Sequence, residues 1–140
     1  MIFMFAKLKS LSLFGLEGEL VDIEVHLHGG QPSFTIVGLG DTAVQESRER
    51  VRSAILNSGF RFHDRKVAVN LAPADIRKQG PRFDVPMALG ILAAHKQITL
   101  PKYLQESIFL GELSFNGHIR SVNGILPSVA CAKKKGFSLQ

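Results

Sequence analysis

A run of alternating apolar and polar residues near the start of the chain constrains its fold more than any other feature. From Leu20 to His28 every second side chain is aliphatic, which is the period of a β-strand with one buried face. The residues of that face are Val21, Ile23, Val25 and Leu27. Similar runs at Phe3–Phe14 and Ser33–Val37, the second after a Gly29-Gly30 turn, predict an antiparallel beginning.

Helices and short strands are predicted over the rest of the chain. A first helix starts at Asp41 or Thr42, where Gln45 would complete a capping box, and it ends at Ser58-Gly59. Asn116-Gly117 favours a type I′ hairpin turn, which needs a positive φ at both central residues. The other predicted elements are a strand at 66–71, a helix at 85–95, hairpin strands at 108–113 and 118–122, and a helix at 126–135.

Length and composition limit the class of protein. A chain of 140 residues suits one domain, which we predict over residues 1–140. The single cysteine, Cys131, forms no internal disulfide and lies in an apolar helical pattern, so we expect a buried, inert thiol and a cytoplasmic location. No apolar run approaches the roughly 20 residues that cross a bilayer, so we expect no membrane partner. The last four residues begin another apolar run, which predicts that the protein continues.

Spacing alone gives no catalytic or cofactor-binding pattern. Gly is nowhere followed by Lys-Ser or Lys-Thr, so we expect no nucleotide and no other cofactor in this chain. His26 and His28 share a strand face, but a third ligand is not evident, and we predict solvated side chains rather than a metal site.

Positive charge is concentrated in the second part of the chain. Residues 1–47 carry two lysines and six acidic residues, whereas residues 48–140 carry fifteen lysines and arginines and six acidic residues. Such a basic surface attracts polyanions, and loop cations before a helix can hold phosphate with its N–H groups. The candidate DNA-binding residues are Arg48, Arg52, Arg61, Arg65, Lys66, Arg77, Lys78 and Arg82.

An alternative for these cations is pairing with nearby acidic residues, which would leave little free positive charge. Arg82 would pair with Asp84, and Arg77 with Asp75. Arg48 or Arg52 would pair with Glu46 or Glu49 in the same way.

Five linked motifs resemble the amino-terminal domain of the ComM/YifB family, the bacterial magnesium-chelatase-like AAA+ ATPases. They are Phe34–Leu39, Glu46–Arg52, Val69–Asp75, Arg82–Leu92 and Phe109–Leu113. The resemblance implies a Lon-protease-like α/β fold of the α+β kind, related to ribosomal-protein and GHMP-kinase folds, with helices packed on a mixed sheet. It also implies an AAA+ ATPase module beyond residue 140, which would use ATP and Mg and assemble as a hexamer.

Activity of the whole protein is implied by the same resemblance. Such a motor is expected to act as a DNA helicase in branch migration and DNA integration during natural transformation. This chain would be its non-catalytic amino-terminal module, contacting single- or double-stranded DNA through the backbone without reading sequence. The alternative role is an oligomerisation or protein-partner scaffold that does not touch DNA.

Comparison with active Lon domains concerns two positions. Their nucleophilic Ser follows a Gly-Pro, and here Gly80-Pro81 is followed by Arg82. Their Lys base follows a Gly-Gly, and the equivalent count from Asn123-Gly124 reaches Leu126. Because a hydroxyl without a base is a weak nucleophile, we expect no peptidase activity.

Overall fold

The computed structural model describes residues 4–62 and 65–140, so Phe3 of the first predicted strand lies outside it. Its strands are β1 (Met4–Phe14), β2 (Glu17–His28), β3 (Ser33–Val37), β4 (Lys66–Ala72), β5 (Glu112–Leu113) and β6 (Ile119–Arg120). Its helices are α1 (Asp41–Asn57), α2 (Asp84–Ala94), α3 (Lys102–Gln105) and α4 (Ile125–Lys134), and a short 3-10 helix at Pro81–Phe83 leads into α2.

The main sheet is mixed, as predicted. Its strand order is β1-β2-β4-β3, with β1 and β4 both antiparallel to β2. The antiparallel beginning holds for β1 and β2 but is wrong for β3, which pairs in parallel with β4. The connection through α1 brings the chain back to the same end of the sheet, which is what a parallel pair requires.

The larger core lies between one face of the sheet and the helices α1 and α2. The aliphatic residues predicted for the inner face of β2, Val21, Ile23, Val25 and Leu27, are all 0% exposed. Helix α2 approaches this face closely at Gly90, where an added Cβ would lie 2.8 Å from Val25 Cγ2. The buried residues of α1 are Ser47, Val51, Ala54 and Ile55, and Val44 is half-buried.

A second apolar cluster covers the other sheet face at the β1–β2 hairpin end, where α4 packs. Leu11, Ile108, Leu110 and Ala132 are its buried members, and Cys131 at its edge is only partly buried. The final residues add to this region, because the Ile108 amide donates to Ser138 O at 2.7 Å and the Gln140 amide to Ile108 O at 2.7 Å.

Two local predictions are wrong. Helix α1 has Gly40 at its N-cap and no side-chain capping bond, so neither Asp41 nor Thr42 closes a capping box. In the β5–β6 hairpin only Gly117 has a positive φ (92°), and the Ser114 amide bonds His118 O at 2.9 Å. The loop therefore has three residues rather than a two-residue type I′ turn.

Within the described residues, no helix combines the length and the hydropathy that a membrane span requires.

Candidate nucleic-acid interface

The eight predicted basic residues separate into two groups at opposite ends of β4. One group surrounds the start of β4, and we call it the basic end; its members are Arg48, Arg52, Arg61, Arg65 and Lys66. The other group follows the end of β4, in the 73–80 loop and the 3-10 helix; its members are Arg77, Lys78 and Arg82.

Helix α1 supplies two cations of the basic end. Arg48 Nη1 donates to Phe34 O at 3.1 Å, which holds the half-buried side chain against β3. One turn later, the exposed Arg52 guanidinium lies 5.8 Å from the centre of the Phe62 ring. Because the Phe62 ring packs on Phe34 at 5.3 Å, the two arginines contact neighbouring residues, Arg48 through the Phe34 carbonyl and Arg52 through the Phe62 ring.

The connection into β4 supplies the other three. Arg61 is exposed, and its backbone is fixed by Gln97, which accepts from its amide at 2.9 Å and donates to its carbonyl at 2.7 Å. Lys66 is exposed and pairs in register with Ser33 and His28 on the neighbouring strands. Arg65 is half-buried, and its carbonyl accepts from the Ser33 amide at 3.4 Å.

The alternative ion pairs between these cations and neighbouring acidic residues do not form in the described structure. Among residues 4–62 and 65–140, none of the eight makes an ion pair within 4.0 Å. The pairings of Arg82 with Asp84, Arg77 with Asp75, and Arg48 or Arg52 with Glu46 or Glu49 are therefore wrong. The cation that binds Asp84 and Glu46 is Arg50, which is not among the eight predicted residues.

The Arg50–Asp84 pair joins α1 to the start of α2. Arg50 Nε and Nη2 donate to the fully buried Asp84 carboxylate at 2.6 and 3.2 Å, and the Leu113 amide donates to it at 3.1 Å. Burial raises the pKa of Asp84, while the hydrogen bonds from Arg50 and Leu113 oppose that rise. The bidentate geometry favours the ionised pair, and the same contact raises the pKa of Arg50. A lone carboxylate at the start of so apolar a helix was the sequence signal for a buried partner.

Two loop cations differ in exposure. Lys78 is 6% exposed, and its Nζ donates to Pro73 O at 2.5 Å and Ile76 O at 2.8 Å. Burial lowers the pKa of this amine. Arg77 is exposed, and its carbonyl accepts from Ser12 Oγ at 2.7 Å. Lys78 therefore holds the loop together, and Arg77 is the accessible cation of this pair.

Arg82 is 7% exposed and lines a cavity of about 570 Å³, which we call the Arg82 pocket. Its Nη2 donates to the Ser128 hydroxyl at 2.6 Å, and that hydroxyl donates to Gly124 O at 2.7 Å. Sequence spacing missed Ser128, since the contact joins residues 46 positions apart. The pocket walls include Leu13, Gly80, Glu112, Ser121, Asn123 and Gly124.

The two Lon-type positions lie in different surroundings. Arg82 is in the pocket, whereas Leu126 is 79% exposed and lies in a separate groove beside the β1–β2 hairpin. His26 and His28 are partly buried on the outer face of β2. No group of three His, Cys, Asp or Glu residues in the described part of the chain is placed to hold a metal ion.

Comparison with known proteins finds one matching family model and several proteins of similar sequence. A family model described as subunit ChlI of Mg-chelatase matches residues 23–139. Competence protein ComM of Haemophilus influenzae is 45% identical over 125 residues, which are 89% of this chain and 24% of that protein. Protein YifB of Escherichia coli is 45% identical over 122 residues, 87% of this chain and 24% of that protein.

A more distant similarity concerns the fold. Lon protease 2 of Bacillus subtilis is 26% identical over 135 residues, 85% of this chain and 24% of that protein. This likeness agrees with the mixed sheet and packed helices of a Lon-like α+β domain. The chain thus spans about a quarter of the length of these relatives.

Proposed function

We propose that this chain, which belongs to the family of the ChlI subunit of Mg-chelatase, is the Lon-like amino-terminal module of a ComM-type AAA+ ATPase. We also propose that it contacts the backbone of DNA. The proposed module comprises residues 1–140. The ATPase module, with its ATP and Mg, would lie in the part of the relatives that this chain does not span. The whole protein would be a cytoplasmic hexamer that moves along DNA during natural transformation.

The observation that carries DNA contact is the basic end. Five cations surround one end of the sheet, and no carboxylate among the described residues neutralises them within 4.0 Å. Contacts of this kind release counterions from the DNA phosphates, so affinity falls steeply with salt and depends little on sequence.

The test compares two triple variants. Arg52→Gln, Arg61→Gln and Lys66→Gln remove three exposed cations of the basic end; Lys102→Gln, Arg120→Gln and Lys133→Gln remove three exposed cations elsewhere. Titrating each with duplex and single-stranded DNA at several salt concentrations gives the slope of log affinity against log salt. We expect the first set to reduce the duplex slope by about 2.7, while the second leaves it nearly unchanged. Equal slopes in both variants would refute the basic end as the binding surface.

Peptidase activity is not part of the proposed function. Arg82 stands where Lon domains carry the nucleophile, and the buried Ser128 hydroxyl bonds a guanidinium, which is not a base at neutral pH. We expect no turnover of an unfolded protein substrate. Turnover that persists in Arg82→Ala would contradict this expectation.

The scaffold role is the second candidate, and an apolar surface favours it. Leu16 and Leu126 are 81% and 79% exposed and line one groove between the β1–β2 hairpin and α4. Glu17 and Glu19 lie on one side of this groove, and Lys134 and Lys135 on the other. A second copy of the chain could satisfy both sides, because the acidic edge of each copy would face the basic edge of the other.

A further inference from the structure

The guanidinium of Arg82 is a buried charge that no carboxylate in the described part of the chain balances. No Asp or Glu among residues 4–62 and 65–140 lies within 4.0 Å of it, although the side chain is only 7% exposed. Burial accordingly lowers the pKa of Arg82. A buried ion without a partner is costly, so such an arrangement calls for an anion from elsewhere.

The hydrogen bonds of this group leave donors unused. Nη2 donates to Ser128 Oγ, which is neutral and gives its own proton to Gly124 O. Among the described residues, Nε has no acceptor but is buried out of a ligand's reach, whereas Nη1 makes no hydrogen bond and is not buried in this way. An arginine presents five N–H donors in a fixed plane, and that geometry matches the oxygens of a phosphate.

The N-terminus of α4 opens onto the same pocket. Gly124 is its N-cap, with a φ of 79° and no side-chain capping bond, so the N–H groups of Ile125 and Leu126 have no acceptor from a cap. The next residue of this ten-residue helix, Pro127, has no N–H. A Cβ at Gly124 would lie 2.5 Å from Leu13 Cδ1 and 3.9 Å from Arg82 Nη1, so glycine lets Leu13 pack closely here and places the N-cap beside the Arg82 guanidinium. The N–H groups and the helix dipole both favour an anion at this position.

We propose that the Arg82 pocket binds a phosphate group, held between the Arg82 guanidinium and the N-terminus of α4. The pocket volume of about 570 Å³ exceeds that of one phosphate ion and lies in the range of small-ligand sites. Leu13 and Val122 add apolar wall, which suits a phosphate monoester with an organic body. Glu112 also lines the pocket, and its carboxylate opposes the bound anion.

The proposal is tested with three probes at matched ionic strength: inorganic phosphate, adenosine monophosphate, and a 5′-phosphorylated trinucleotide beside its 5′-hydroxyl form. Binding is followed by chemical-shift changes of the Gly124 and Ile125 amides. We expect saturable binding of phosphate with a Kd on the order of millimolar, and tighter binding of whichever monoester is the natural source. The phosphate assignment would be overturned if acetate bound as tightly as phosphate, or if chloride produced the same chemical-shift changes.

Variants tie the binding to the pocket. Arg82→Gln should weaken phosphate binding about tenfold, since it removes the charged donors. Glu112→Gln should strengthen it about twofold to fivefold by removing a like charge near the surface, and this variant answers the question even where Arg82→Gln fails to fold. The proposal would be overturned if Glu112→Gln left the phosphate affinity unchanged and Arg82→Gln either also left it unchanged or failed to fold.

This inference is independent of the DNA-binding proposal. The basic-end triple variant leaves the Arg82 pocket intact, so it should bind phosphate normally while its DNA salt slope falls. Arg77→Gln, which changes an exposed cation outside the pocket walls, should also bind phosphate normally. Loss of phosphate binding in both of these variants would place the anion elsewhere on the chain.

Discussion

Asp84 is the most constrained ionised side chain of the described structure. It is fully buried and accepts hydrogen bonds from Arg50 and from the Leu113 amide. Asp84→Ala would leave the Arg50 guanidinium partly buried without its carboxylate, and we expect a loss of about 3–5 kcal/mol in the free energy of unfolding. Urea unfolding monitored by circular dichroism measures it.

Glu46 provides the control for this prediction. It also pairs with Arg50, but at 3.9 Å and with a side chain 64% exposed. Glu46→Gln should cost less than about 0.5 kcal/mol. Equal losses in the two variants would show that the buried pair is not the source of the stability.

Lys78 is predicted to stabilise the 73–80 loop. Lys78→Met removes two hydrogen bonds to loop carbonyls, and we expect the free energy of unfolding to fall by about 1–3 kcal/mol, against almost no change for the exposed Lys102→Met.

Because the folded-state pKa of Lys78 lies below its usual 10.5, the unfolded chain binds more protons than the folded chain at pH values between these two pKa values. Wild-type stability should therefore rise relative to Lys78→Met as pH rises through this window. A pH-independent difference in urea midpoints would contradict the burial of the charge.

Residue-level prediction from sequence succeeded where the signal is local. The alternation in β2 placed its four aliphatic residues in the core because strand side chains alternate between two faces. Prediction failed for the charge pairs, because Arg82 and Asp84 are close in sequence but bind different partners. Asp84 binds a residue 34 positions away and Arg82 one 46 positions away, and such contacts depend on tertiary packing.

At the scale of elements, the contact between α2 and the sheet depends on Gly90. Alanine would favour the helix by about 1 kcal/mol, but its Cβ would lie 2.8 Å from Val25 Cγ2 and 3.3 Å from Leu8 Cδ1. We expect Gly90→Ala to destabilise the protein by about 1–3 kcal/mol, because a packed core does not yield without strain. Thermal unfolding measures the change.

A double variant controls for helix propensity. Val25→Ala removes the methyl group that the new Cβ meets, so Gly90→Ala should cost less in that background than in the wild type. Strictly additive effects would show that the close approach is not the cause.

The order and type of most elements were predictable, but their ends and partners were not. The hairpin at Asn116-Gly117 exists, yet a three-residue loop replaces the two-residue turn because only Gly117 adopts a positive φ. Strand β3 was recognisable by composition, whereas its parallel pairing with β4 depends on how α1 folds back. The apolar run at the end of the chain was also recognisable, and its partner at Ile108 was not.

At the scale of the whole molecule, the groove at Leu16 and Leu126 predicts self-association. Leu16→Gln and Leu126→Gln should each weaken association measured by sedimentation velocity about tenfold, since exposed apolar anchors dominate such interfaces. Phe115→Gln changes an apolar residue that is 58% exposed elsewhere and should have no effect. Association that is insensitive to all three substitutions would exclude this groove as the contact between copies.

The length of strand β4 also determines how much DNA the proposed interface would cover. Its seven residues span about 20 Å and separate Lys66 at the basic end from the loop that carries Arg77. Since duplex DNA rises about 3.4 Å per base pair, a duplex lying along that strand would cover about six base pairs between its ends. Under the proposed DNA contact, the shortest duplex that reaches both groups of cations would therefore be a little over half a helical turn, and shorter oligonucleotides would reach one group alone.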